Sequence, residues 1–183
     1  MGSKKIKDLV NINRQKATPD KHKKLIDLSI MPSKTLCLDQ FNLGDMFETN
    51  IFKMNKYDIL FGSIRPYLFK TGMASFDGLV AGTIHSLSPK KTNNLINYLI
   101  LTMTSENIFK HAITNSKGTK MPVISINNLL DHVVPYSDKI ISQFENKLSF
   151  KEIISKNILE NIKLTQLRDF LLPMLMNGQV SVI

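Results

Sequence analysis

The 183-residue chain has no tryptophan and a single cysteine, Cys37. One cysteine cannot make an internal disulfide, so a packed core has to hold the fold, and a reducing compartment suits it. Long apolar runs are missing too. The strongest, around residues 95–103, is too short and too polar to cross a bilayer. No N-terminal apolar segment precedes a small-residue cleavage site. The expectation is a cytoplasmic protein without a membrane partner. Several catalytic signatures are absent: the G-x-x-x-x-G-K-[ST] phosphate loop, the G-x-G-x-x-G turn and the G-x-S-x-G nucleophile elbow. So is the [DN]-P-P-[YF] motif that holds a target amine in amino-methyltransferases. The histidines His22, His85, His111 and His132 lack metal-ligand spacing, and one cysteine completes no zinc site. Carboxylates are isolated. Asp58 and Asp77 come nearest to an acid/base pair, yet Asp77-Gly78 is a turn sequence and Asp58 opens a strand. These absences point away from an enzyme, and no metal or cofactor is expected on the chain.

Glycine and proline are also absent from residues 139–172. Isoleucines, leucines and Phe144 recur there at three- and four-residue steps, between Lys, Glu and Asn. That is the spacing of one long amphipathic helix. At ~1.5 Å per residue it reaches ~50 Å, too long to lie within a domain made from the preceding residues. The expected organisation is a globular head, residues 1–138, and a helical arm, residues 139–183. Ile140, Phe144 and Leu148 share one face, Ile154, Ile158 and Ile162 another, and Leu164, Leu167, Leu171 and Leu175 a third. The stripe slips between these runs, which predicts stutters in any coiled-coil seam. Pro173 ends or kinks the helix, and Gly178 stops it.

What is abundant is positive charge: 24 Lys+Arg against 15 Asp+Glu, a net +9. Most of the excess is in the head, +7 against +2 in the arm. A basic head suits a polyanion, nucleic acid first; the plainer reading is a surface tuned for solubility. The head reads as α+β, with mixed or antiparallel β-structure and helices. Residues 14–24 read as a polar basic loop and residues 25–30 as a strand. Residues 57–68 read as a strand and turn. Residues 72–76 and 79–87 read as a hairpin about Asp77-Gly78. Residues 93–116 have helical spacing, and residues 133–136 read as a last strand.

Residues 56–70 (KYDILFGSIRPYLFK) resemble a G-D-I-L-F-S-x-I-R-P-Y-L-x-K segment found in one family. It belongs to the target-recognition domain of the specificity subunit (HsdS) of type I restriction-modification systems. Tyr57 stands where that pattern has Gly, a departure that affects turn geometry. Residues 24–28 (KLIDL) are similar to the family's Y-I-D-L strand. Residues 118–125 (GTKMPVIS) are similar to the loop entering the domain's final part, and Val134-Pro135 to its closing L-P. Residues 161–180 (NIKLTQLRDFLLPMLMNGQV) resemble its L-x-x-L-R-[DQ]-x-L-L-P-x-L-x-x-G-x-[IV] tail. Full-length members carry two recognition domains, each followed by a long helix, and the two helices pair antiparallel. This chain has one of each and looks like a half subunit.

The resemblance implies a non-catalytic DNA-specificity subunit. Its head reads one half of a bipartite target in double-stranded DNA. Its arm pairs with a second copy as an antiparallel coiled coil, and the homodimer favours an interrupted palindrome. It directs the modification methyltransferase subunit (HsdM), which brings S-adenosylmethionine and methylates adenine, and a restriction translocase subunit (HsdR). Two alternatives stand beside this: a truncated or phage-borne half subunit that diverts methyltransferase subunits, and a stand-alone DNA-binding protein. Arg65 is suited to pair bidentately with guanine or clamp phosphate, or only to fix a hairpin with Pro66. Tyr67 and Lys70 share its turn. Lys117, Thr119 and Lys120 form a donor-rich loop. Lys21, Lys23 and Lys24, with His22, form a basic run that is equally a solvated face. Ile140, Phe144, Leu148, Ile154, Ile158, Ile162, Leu167 and Leu171 are candidates for the dimer seam or the methyltransferase contact.

Overall fold

In chain order the strands are β1 (Gly2–Lys5), β2 (Val10–Asn13), β3 (Asp20–Ile26), β4 (Asn42–Gly44), β5 (Ile51–Met54), β6 (Ile59–Gly62), β7 (Thr71–Met73), β8 (Gly78–Ala81), β9 (Ile84–Pro89) and β10 (Val133–Tyr136). The helices are α1 (Ile96–Thr104), α2 (Glu106–Thr114), α3 (Ile126–Leu130), α4 (Asp138–Lys147) and α5 (Phe150–Met176). The computed structural model describes residues 2–36, 38–47, 50–90, 95–147 and 150–179. Cys37, Leu148 and the first residues of the expected 93–116 helix lie outside the described residues.

β6 explains the layering. Its residues alternate sides, as a pleated strand requires. Ile59 and Phe61 join a core with Met73, Leu87 and the inward faces of α1 and α2. Leu60 faces the other way, into a core with Ile26, Met54 and Val80. Both faces of β6 are therefore covered, which is why it reads as an unbroken apolar run. Helices lie on one antiparallel sheet, ordered β2-β9-β6-β7, and that sheet lies on a second, ordered β4-β3-β8-β5. In the second sheet β3 and β8 run parallel and the other pairs antiparallel. A ribbon of β1 and β10 closes the head, with Gly2 opposite Tyr136. The class is α+β, as the sequence indicates.

Four local readings change. β7 and β8 do not form a hairpin about Asp77-Gly78, because they belong to different sheets. Asp77 Oδ1 instead accepts the Lys56 backbone N–H at 2.7 Å, tying one turn to another. Residues 20–24 are not loop but the polar outer half of β3, whose register to β4 shifts between Asp20 and Lys24. The expected 93–116 helix is two helices, α1 and α2, broken at an extended Ser105 (ψ 150°). Thr104 Oγ1 and Ser105 Oγ bond back to the carbonyls of Ile100 and Thr102, and this local competition ends α1.

The arm also divides. The backbone N–H of Lys151, an orphan donor of a new helix start, donates to Asn97 Oδ1 at 3.1 Å. In return Glu145 Oε1 of α4 accepts the Tyr98 N–H at the start of α1 (2.8 Å). These exchanged caps clamp α4 and the root of α5 to the head. At the far end the Gly178 N–H reaches Leu175 O (3.2 Å) and the Gln179 N–H reaches Met174 O (2.9 Å). With Gly178 at φ +66°, that is a Schellman stop.

Candidate nucleic-acid interface

Strand register gives the sheets two distinct ends. Pairing of Ile51 with Ala81 and of Gly62 with Ile84 gathers Asn50, Gly82, Thr83 and residues 62–70 at one end. Pairing of Met54 with Gly78 and of Ile59 with Met73 gathers residues 55–58 and 74–78 at the other. The root of α5 sits at that second end, where Ser155 Oγ donates to Ser75 O at 3.4 Å.

Arg65 lies at the first end. Its backbone is left-handed (φ 51°, ψ 64°), and Pro66 starts a short 3₁₀ turn whose fixed φ suits that position. Phe69, also left-handed at φ 54°, closes the turn and packs its ring, tilted by 41°, against Phe109 with centres 4.6 Å apart. The Arg65 N–H donates to Pro122 O (2.8 Å), and the Ile124 N–H donates to Ser63 O (2.9 Å). Lys117 and Val123 exchange backbone hydrogen bonds of 3.0 and 2.8 Å, with Gly118 at φ +106° inside the loop they close. Arg65 and Tyr67 thus come together with Lys117, Thr119 and Lys120, all exposed. Leu68, Ile113, Met121 and Val123 add exposed apolar surface around them. Lys70 shares the turn, but its ammonium donates to the Leu28 carbonyl.

The Lys21–Lys24 run is elsewhere. Because β3 runs parallel to β8 from Leu25 opposite Leu79, residues 20–24 lie at the α5 end. Lys24 sits over Phe41 and Phe76 (4.5 and 4.8 Å), Lys23 is 3.8 Å from Asp20, and Lys21 is exposed.

Sequence reasoning passed over Arg14. The chain leaves β2 at Asn13 and crosses to the β5 edge, and Arg14 is at the crossing. One Arg14 Nη lies 3.1 Å from His85 Nδ1, and His85 Nε2 lies 3.1 Å from Ile124 O. A carbonyl only accepts, so Nε2 carries the hydrogen and Nδ1 receives the guanidinium. Burial pushes the His85 pKa down; the Ile124 carbonyl opposes that and the Arg14 charge adds to it. The guanidinium is 5.1 Å from the Phe52 ring centre. It lines a groove of about 640 Å³ with Phe47, Asn50, Phe52, Ile64, Thr83 and Asp27. The legible signal was a histidine inside a strand, between Ile84 and Leu87.

Asp58 is a structural anchor. It accepts from Asn13 Nδ2, the Asn55 N–H and the hydroxyls of Ser86 and Ser88, at 2% exposure. Among the described residues no group of three His, Cys, Asp or Glu is placed to hold a metal, and no helix is long and apolar enough to cross a membrane.

On the arm, Ile158 and Ile162 are 2% and 5% exposed, covered within the chain itself. Ile154 is half-buried against the head core. Ile140 is exposed and Phe144 half-buried beside Tyr98, Leu101 and Val133. Beyond Ile162 the apolar stripe is open: Leu164, Leu167, Phe170, Leu172 and Leu175 are exposed, and Leu171 is half-buried.

No protein-family model matches the sequence, and no curated protein matches it either. Solved structures do match. The HsdS subunit from Thermoanaerobacter tengcongensis is similar with a TM-score of 0.63 at 14% identity, over 97% of this chain and 46% of that one. The type I restriction-modification S subunit from M. genitalium gives 0.57 at 14%, over 95% and 45%. A chain from a structure of type I R-M complex assembly and conformational transition gives 0.62 at 17%, over 97% and 48%. This chain spans about half the length of each, so it has the fold of one half of a type I specificity subunit.

Proposed function

We propose that the chain is a half-size specificity subunit of a type I restriction-modification system. It reads one half of a bipartite DNA target and contributes no catalysis. The observation that carries this reading is the fold match, which runs over nearly all of this chain in each of the three structures. The end bearing Arg65, Tyr67, Lys117, Thr119 and Lys120 meets DNA: lysines neutralise phosphate, and the Arg65 fork is free to reach a base edge. Lys21, Lys23 and Lys24, at the opposite end, add general attraction. The open stripe from Leu164 to Leu175 pairs antiparallel with that of a second copy, giving a two-fold dimer and a symmetric, interrupted site. A modification methyltransferase subunit, carrying S-adenosylmethionine, docks on this dimer, and a restriction subunit joins it.

The test is co-expression with a type I modification subunit from the same genome, followed by mapping of methylated adenines. The expected result is one interrupted palindrome that is lost when Arg65, Lys117 and Lys120 are replaced together by alanine. A purified complex that methylates no defined site would refute the reading.

A further inference from the structure

We propose that Arg14 reads a guanine in the half-site and that His85 is its positioning residue. This rests on the DNA-specificity reading above and adds a residue to it.

A surface arginine has many rotamers, and holding one of them for a base costs affinity. Here the geometry is fixed before DNA arrives. His85 is 4% exposed and locked by Ile124 O, so its Nδ1 lone pair points at the guanidinium at 3.1 Å. Phe52 supports the guanidinium face at 5.1 Å. The bond to His85 uses one Nη hydrogen, and the other donors have no partner among the described residues. A guanidinium edge therefore stays available, and guanine N7 and O6 present the matching acceptor pair.

The surroundings favour a base over a phosphate. Arg14 lines a groove with apolar walls from Phe47, Phe52 and Ile64, and the Asp27 carboxylate lines it as well. That carboxylate disfavours a phosphate. Its oxygens accept the Ser29 N–H and Asn42 Nδ2, each at 2.6 Å, and among the described residues it makes no ion pair with Arg14. The groove adjoins the Arg65 turn through Ile64, and the lysine loop through the bond from His85 to Ile124. Lys117 and Lys120 on that loop are the phosphate contacts of the proposed interface.

The experiment is selection from a randomised double-stranded DNA library with the purified full chain, melting curves accompanying each variant. Wild type should enrich a motif with a required guanine. Arg14→Ala should lose discrimination at that one position by about tenfold or more, the worth of a good bidentate pair. Arg14→Lys should lose it too, since an ammonium cannot make the paired contact. His85→Asn, whose amide oxygen can stand where Nδ1 is, should keep the preference. His85→Leu should lose it, while Arg14→Ala and His85→Leu leave the rest of the motif intact. Lys117→Ala with Lys120→Ala should weaken every sequence alike. An Arg14→Ala motif equal to wild type, or uniform weakening of all sequences, overturns the assignment. A wild-type chain that enriches no motif overturns the specificity reading itself, and this inference with it.

Discussion

The Arg65 amide donates to the Pro122 carbonyl across 2.8 Å, which fastens the Arg65 turn to the lysine loop far along the chain. The bond leaves both side-chain sets outward and fixes their spacing. Under the proposed DNA-reading role that spacing matters, because each phosphate or base contact has its own place on the duplex.

Gly118 is the residue that lets the lysine loop reach Pro122. Its φ is +106°, and an added Cβ would stand 3.0 Å from Met121 O. Gly118→Ala should cost about 1–2 kcal/mol in stability, the usual range for a side chain forced into that region. DNA affinity should fall by more than removal of one lysine explains. Denaturant unfolding beside a DNA titration measures both.

Tyr57 sets two effects against each other. Its φ of +73° is a glycine-like conformation, where the resembling pattern has Gly. Replacing it with Gly should recover about 1 kcal/mol of backbone strain. The ring, however, packs against the head core, with the ammoniums of Lys56 and Lys151 at 4.9 and 5.8 Å. Loss of a half-buried aromatic and those contacts amounts to about 2–3 kcal/mol. Tyr57→Gly should therefore destabilise by about 1–2 kcal/mol, read from the denaturation midpoint. A more stable variant would mean that strain outweighs packing.

His85 predicts an acid-side loss of stability. Its folded pKa lies below the ordinary 6.5, mainly through burial, so the unfolded chain binds the proton first. The stabilisation is complete above 6.5 and is lost as pH falls from there through the depressed folded value. His132, also lowered by burial and then by the His111 charge, acts in the same direction. Glu145, raised by burial, acts in the opposite direction. The diagnostic quantity is therefore the difference between wild type and His85→Asn, measured by chemical denaturation at steps from pH 7.5 down to 5. It should shrink as pH falls. A constant difference would show that the His85 pKa is the same in the folded and unfolded chain.

Much of this was legible beforehand because it is local. The apolar runs at Leu25 and Ile59, the strand at Val133, the Arg65–Pro66 turn and the basic Gly118 loop each declare themselves in a few residues. What stayed hidden depends on partners far along the chain. Asp77-Gly78 looks like a hairpin turn, but β7 chooses β6 and β8 chooses β3 and β5. The arm has an unbroken helical pattern, yet Asn97 supplies a cap that starts α5 anew. Arg14 gains its meaning from His85 and Ile124, neither of them near it in sequence. Periodicity names a face without naming what covers it, and on α5 the head covers part of that face.

That division of α5 separates folding from assembly. Ile158 is 2% exposed and Leu167 is 52% exposed, though both belong to the helix's apolar stripes. Ile158→Ala should cost about 2–5 kcal/mol as a buried truncation, lowering the melting temperature whatever the protein concentration. Leu164→Ser with Leu167→Ser should leave the melting of dilute protein within about 0.5 kcal/mol of wild type per site, as exposed changes do. In concentrated wild-type protein, light scattering should give the mass of two chains, and the double serine variant the mass of one. If Ile158→Ala dissociates the dimer while the serine variant does not, the seam runs along the root of α5 and the distal stripe serves another partner.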